Sequence, residues 1–261
     1  MIDLVADLSL ALDLLDAADQ VTSLRFGALD LRVEAKPDHT PVTDADTTVE
    51  ALVRRRLAAE RPADGVLGEE EGETRAGAGR RWVLDPIDGT KNFLRGVPVW
   101  ATLLALEVDG EVVVGAASAP ALGRRWWGSA GAGAFMTAPL APRPRRLQVS
   151  GVGVLADASL AYASLDGWQE RRRLDGFLEL TRSVWRTRAY GDFWSHLLVA
   201  EGAVDVACEP EVSRWDLAAL DIVVREAGGR FTDLSGRPGP GGGSAVASNG
   251  LLHDEVLALL R

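Results

Sequence analysis

The sequence predicts an antiparallel α+β front half joined to an α/β back half, and three observations carry that prediction. Leu4, Leu8, Leu12 and Leu15 recur at helical spacing. Two β-rich runs, 99–108 and 111–117, are joined by Asp109-Gly110, a strong hairpin signal. From about Gln148 onward, short strand patterns alternate with helical ones. The halves divide as residues 1–147 and 148–261.

In chain order, the first helix should end by Gly27. Residues 31–35 read as a short strand, followed by the turn signal KPDHTP. A second helix carries Val49, Leu52, Val53 and Leu57 on one face. Its start is marked by TDAD, where Thr43, Asp44 or Asp46 can cap free amides. GVLGEE and RWVLD are short strands that each end in acid. The Trp126-Trp127 pair lies in a β-region beside GSAGAGAF, where it packs sheet against helices or leaves aromatic surface for a dimer contact. In the back half, strands at 160–164, 185–190, 204–208, 230–232 and 245–247 alternate with helices at 168–182, 193–201, 216–227 and from Leu251. GRPGPGGGS, 236–244, reads as a mobile surface loop.

With 261 residues and 47% hydrophobic content, the chain can bury a large core. A formal net charge of −10 argues against a general nucleic-acid binder. Cys208 is the single cysteine, which excludes an internal disulfide and fits a reducing compartment. The apolar N-terminus carries Asp3, Asp7, Asp13, Asp16 and Asp19 without a basic region, and no run suits a membrane span. A cytoplasmic globular protein is expected.

The chemistry should lie where acids meet strand ends and helix starts. LDPIDGTKNF, 84–93, sets Asp85 and Asp88 three residues apart around a Pro-Ile pair. Pro86 keeps Asp85 extended, and the Asp88-Gly89 turn should bring Asp88 back toward it. Glu69, Glu70 and Glu71 end a strand, and Trp215-Asp216 opens a distant helix. Taken singly, Asp88 reads as a turn residue, Asp216 as a helix cap and the glutamates as a solvated loop. Taken together, they would repel one another unless a divalent cation neutralised them. Oxygen ligands without His or Cys point to Mg²⁺, which usually serves a phosphate substrate.

The segments GEE (68–70), DPIDGTKNF (85–93) and WDLAA (215–219) resemble the inositol monophosphatase superfamily of Mg²⁺-dependent, lithium-sensitive phosphatases, in order and spacing, over essentially the whole chain. The resemblance implies a layered αβαβα sandwich, an active site where the two halves meet, and a homodimer. It implies that Glu69, Asp85 and the Ile87 carbonyl hold one metal and that Asp85, Asp88 and Asp216 hold a second. Asp44 would serve a third site, pair with Thr90, and with it orient the attacking water, helped by Glu69. Backbone amides after Gly89 would hold phosphate oxygens. Two patterns from other phosphatase mechanisms lack their context. Cys208 to Arg214 is spaced C-x5-R but encloses Glu209 and Glu211, and DADTT, 44–48, precedes a helix instead of ending a hydrophobic strand.

GDFWS, 191–195, resembles the histidinol-phosphate phosphatase branch, where inositol phosphatases usually carry small residues after the glycine. Asp192 and Glu209 could pair with the cationic amine and imidazole of such a substrate, and an aromatic wall could stack on its ring. Asp192 reads equally as an N-cap, and Glu209 could accept inositol hydroxyls. Arg188 is placed at phosphate or substrate, across a dimer interface, or on a surface acid. His39, His253 and His196 do not look catalytic; His196 is expected in the core or an interface. The alternatives to histidinol phosphate are an inositol-1-monophosphatase or broad small-molecule phosphatase and, remotely, a metal-regulated binding protein.

Overall fold

The computed structural model describes residues 3–37 and 39–261; Asp38 of the expected KPDHTP turn lies outside them. The chain opens with α1 (Leu4–Arg25), the ribbon of β1 (Val33–Ala35) and β2 (Pro41–Thr43), and α2 (Asp44–Glu60). Next come β3 (Gly65–Gly68), β4 (Gly72–Thr74), β5 (Arg80–Asp88), α3 (Thr90–Leu94), β6 (Ala101–Val108), β7 (Glu111–Ala119), β8 (Arg124–Ser129), β9 (Gly133–Ala138) and β10 (Ala141–Arg146). These strands form one sheet, ordered β10-β9-β8-β7-β6-β5-β3-β4, whose single parallel pairing joins β3 to β5.

The later part of the chain carries β11 (Ser159–Ala161), α4 (Asp166–Glu170), α5 (Leu174–Ser183), β12 (Arg186–Arg188), α6 (Asp192–Ala200), β13 (Val206–Glu209), α7 (Arg214–Glu226), β14 (Arg230–Thr232), β15 (Ala245–Ser248) and α8 (His253–Leu259). Its strands form a second sheet, ordered β12-β11-β13-β15-β14.

Strand periodicity sorts side chains into layers, because neighbours on a strand face opposite sides. In β5 and β6, Trp82, Leu84, Leu104 and Leu106 join the cluster built on α1 and α2, whereas Val83, Leu103 and Ala105 face the cluster that contains α6 and α7. In the second sheet, Ala161, Ala207 and Ala247 share that middle layer, while Leu160, Val206, Cys208 and Val246 face α4, α5 and α8. The result is a layered αβαβα sandwich. Helices α6 and α7, from the later part of the chain, pack between the two sheets, so both parts share one core.

Several details differ from the sequence reading. The single helix expected over 168–182 is two, α4 and α5, because Arg172 adopts a left-handed φ of 57° between them. Strand β4 and the meander through β9 and β10 extend the front sheet beyond the expected hairpin. Trp126 is fully buried and donates from Nε1 to Glu201 at 2.9 Å, and Trp127 stacks on Phe135. Trp126 therefore offers no aromatic surface, whereas Trp127 stays partly exposed. Residues 236–244 are pinned: Arg237 pairs with Asp233 at 2.9 Å, and Gly242 abuts the same aspartate so closely that a Cβ would collide with it.

Candidate metal centre and active site

The acidic centre forms where β3 and β5, the parallel pair, reach their C-terminal ends. Gly68 lies opposite Leu84, and the Glu69 amide donates to the Leu84 carbonyl, which sets Glu69 beside Asp85. On an unbroken strand, Asp85 and Asp88 would face opposite sides, since their separation is odd. A bulge decides otherwise. Asp85 pairs with Leu103 and Asp88 with Ala101, so three steps on β5 match two on β6. Pro86 has no amide to lose from the ladder, and its carbonyl accepts from Thr102 Oγ1 at 2.8 Å. The bulge, more than the expected Asp88-Gly89 turn, brings the two aspartates together.

Asp216 joins them from the first turn of α7. It forms a capping box with Ser213, whose amide donates to Asp216 Oδ2 at 2.7 Å. One carboxylate oxygen from each of Asp85, Asp88 and Asp216 lies within 4.8 Å of the others. The Asp88 carboxylate also accepts the Phe193 amide at 2.7 Å, at the start of α6. Glu69 is held by Lys36 Nζ at 2.6 Å, and the same ammonium reaches Glu70 at 2.8 Å. The Ile87 carbonyl accepts the Thr90 hydroxyl at 3.0 Å, and a carbonyl oxygen carries a second lone pair.

Burial first, then the neighbouring carboxylates Glu69, Asp88 and Asp216, hold the Asp85 carboxyl well above its usual range. Burial, then Asp192 and Asp216, does the same to Asp88. Burial, opposed by the Ser213 amide, pushes Asp216 up to about 7. Asp85 Oδ1 is buried without a hydrogen-bond partner among the described residues. A cluster of oxygen donors that protonate unless compensated, one of them orphaned, fits a hard divalent cation.

The third-site role expected of Asp44 does not fit its position. Asp44 pairs with Arg25, at 2.8 Å to Oδ2, beside α1. Asp46 is the residue beside Thr90, 3.5 Å from Oδ1 to Oγ1; its Oδ2 accepts the Thr43 amide at 2.8 Å and the Thr43 hydroxyl at 2.5 Å. Burial, opposed by Thr43, pushes Asp46 up to about 6. The signal was present in the sequence. Asp46 is in helical phase with Val49, Val53 and Leu57, the buried face of α2, and lies three residues after a capping threonine.

Sequence reasoning also missed Glu50. It is fully buried, pairs with Arg54 at 2.7 Å, and accepts the amides of Glu70 and Glu71, each at 2.9 Å. It thereby fixes the loop that presents Glu69. Gly68 is required there, because a Cβ would lie 2.1 Å from the Glu50 carboxylate.

The centre opens into a cavity of about 800 Å³ whose lining includes Gly89, Thr90, Tyr190, Asp192, His196 and Glu209. Gly89 takes φ 86° as it leads into α3, and a Cβ would meet the Val99 carbonyl at 2.9 Å. Asp192, the first residue of α6, is not its N-cap. It has φ 48° and accepts from Asn92 Nδ2 at 2.9 Å, and burial, then Glu209, pushes it up to about 6. Arg188 does not line the cavity; it is exposed on β12 and donates to the Thr187 carbonyl at 2.7 Å.

A family model described as the inositol monophosphatase family matches residues 5–261. The chain is 63% identical over 254 residues to a histidinol-phosphatase of Mycobacterium tuberculosis, covering 97% of each sequence. It is 60% identical over 264 residues to a histidinol-phosphatase of Streptomyces coelicolor, covering 100% of this chain and 98% of that one. Among solved structures, an inositol monophosphatase from Zymomonas mobilis matches with a TM-score of 0.86 at 31% identity, covering 100% of this chain and 99% of that one.

Proposed function

The chain belongs to the inositol monophosphatase family, and on that premise we propose that it hydrolyses L-histidinol phosphate to L-histidinol and inorganic phosphate with Mg²⁺. It is a phosphoric monoester hydrolase. The observation that carries the substrate is the identity of 63% and 60%, across nearly the whole length, to histidinol-phosphatases. The cavity supports it, since Asp192 and Glu209 make its wall acidic beyond the metal centre, which suits a cationic leaving group.

Glu69, Asp85, the Ile87 carbonyl, Asp88 and Asp216 would hold Mg²⁺, with Asp46 serving a weaker site. When bound, the metal supplies Lewis-acid stabilisation of charge on the phosphoryl and leaving oxygens. Thr90 orients the attacking water through its hydroxyl. The water oxygen bonds to phosphorus as the ester P–O bond breaks, its proton passes by way of Thr90 Oγ1 toward Asp46 Oδ1, and the departing alkoxide takes a proton from solvent water to leave as the alcohol. First-turn amides of α3 face the phosphate, while Glu69, tethered by Lys36 and by the loop fixed on Glu50, borders the water.

Phosphate release from L-histidinol phosphate and from inositol 1-phosphate, side by side with Mg²⁺ and with chelator, tests this. A preference on the order of 10²-fold or more in kcat/KM for histidinol phosphate is expected, with activity lost in chelator and inhibited by lithium. Equal values for the two esters would remove the substrate, and full activity in chelator would remove the metal.

No helix among the described residues is long and apolar enough to cross a membrane. We read the assembly as a homodimer in the cytoplasm. Trp185, 66% exposed just before β12, supplies apolar surface for the contact. A single-chain mass in light scattering would exclude the dimer.

A further inference from the structure

Two histidines are buried in this protein, and they are treated differently. His253 has both ring nitrogens engaged, Nδ1 with Ser248 Oγ at 2.8 Å and Nε2 with Thr232 Oγ1 at 2.9 Å. His196 is 1% exposed, and neither Nδ1 nor Nε2 has a hydrogen-bond partner among the described residues. Buried imidazoles normally satisfy at least one nitrogen, because an unpaired polar group away from water is costly. The place of His196 suggests what it waits for. It projects from α6 into the lining of the active-site cavity, against Phe231 with ring centroids 5.6 Å apart. Its Nε2 lies 3.6 Å from Glu209 Oε1, just beyond hydrogen-bond length.

Glu209 ends β13, is 8% exposed and lines the same cavity. A glutamate free to pivot there could accept polyol hydroxyls as readily as it pairs with a cation. A donor locked on one of its oxygens changes that. The carboxylate then presents its other oxygen in a fixed direction, and its buried charge is compensated only when a positive group arrives. Phe231 holds the ring plane, so the donation from Nε2 is directional.

We propose that His196 is a positioning residue for substrate selection: its Nε2–H closes onto Glu209 as a cationic nitrogen of the substrate docks on that carboxylate. The pair then favours phosphate esters whose alcohol carries a cationic nitrogen over uncharged ones. This rests on the reading that the substrate is L-histidinol phosphate.

The test compares His196→Gln, whose terminal amide reaches as far as Nε2, with His196→Phe, which fills the space without a donor. Each is assayed with Mg²⁺ on L-histidinol phosphate and on p-nitrophenyl phosphate, beside the wild type. His196→Phe should lower the wild-type ratio of the two kcat/KM values about tenfold, mainly through a raised KM for histidinol phosphate. His196→Gln should retain most of that ratio. If His196→Phe does not fold, His196→Asn replaces it, because its shorter amide cannot reach Glu209. Equal losses on both esters would assign His196 a merely structural role and overturn the proposal. So would a donor-free variant that keeps the wild-type ratio, and in that case the substrate reading survives. A wild type with no preference for histidinol phosphate would remove the substrate reading, and this inference with it.

Discussion

Asp88→Asn is expected to lower kcat on the order of 10³-fold while leaving the fold intact. Asparagine keeps the size of the side chain and can still accept the Phe193 amide that now bonds to Asp88. It cannot supply the negative charge that completes the cluster with Asp85 and Asp216. Stability should move the other way. In the metal-free protein Asp88 is buried and repelled by Asp192 and Asp216, so removing its charge relieves a cost. The pH dependence follows from the raised pKa values. A carboxyl raised in the folded state contributes stability below its unfolded value of about 4, and that contribution is lost as pH rises through the folded value. In chelator, the wild-type Tm should therefore fall from pH ~4 through the Asp216 value of about 7, and Asp88→Asn should fall less. Added Mg²⁺ should raise the wild-type Tm most at the upper end. A variant within tenfold of wild-type kcat, or a wild-type Tm indifferent to Mg²⁺ at high pH, would contradict the assigned centre.

Asp46→Asn should lower kcat on the order of 10²-fold, whereas Asp44→Asn should leave turnover near wild type. The two aspartates are two residues apart, about 200° around a helix, so only one can face the active site. Asp46 meets Thr90, and Asp44 meets Arg25. Losing the partly exposed Asp44–Arg25 pair should cost little stability, since solvent screens it. Melting curves for both variants separate a weakened α2 cap from lost chemistry, since the capping box with Thr43 is partly conserved in asparagine. If Asp44→Asn proved the inactive variant and Asp46→Asn the active one, Asp44 would be restored to the catalytic role.

The legible parts of the site were those in which sequence neighbours remain spatial neighbours. DPIDGT places Asp85, Ile87, Asp88 and Thr90 within six residues, and WD places Asp216 in a helix first turn whatever that helix packs on. Asp46 was legible in principle from the phase of α2, but TDAD offered two acids and rotation of the helix chose between them. Glu50 could not be read, because its partners are backbone amides contributed by a loop after β3.

The sequence by itself determined the family and the two-part order of elements, because these rest on local spacing and on strand and helix periodicity. Tertiary structure alone decided three things. The β5 bulge turned Asp85 and Asp88 to one side through its register with β6. The seating of α6 and α7 between the sheets carried Asp216 to the strand ends and the Phe193 amide to Asp88. The surroundings of His196 arose because α6 is buried on nearly every face. A helix without a polar side gives the sequence no phase to read, so only packing could set that ring beside Glu209.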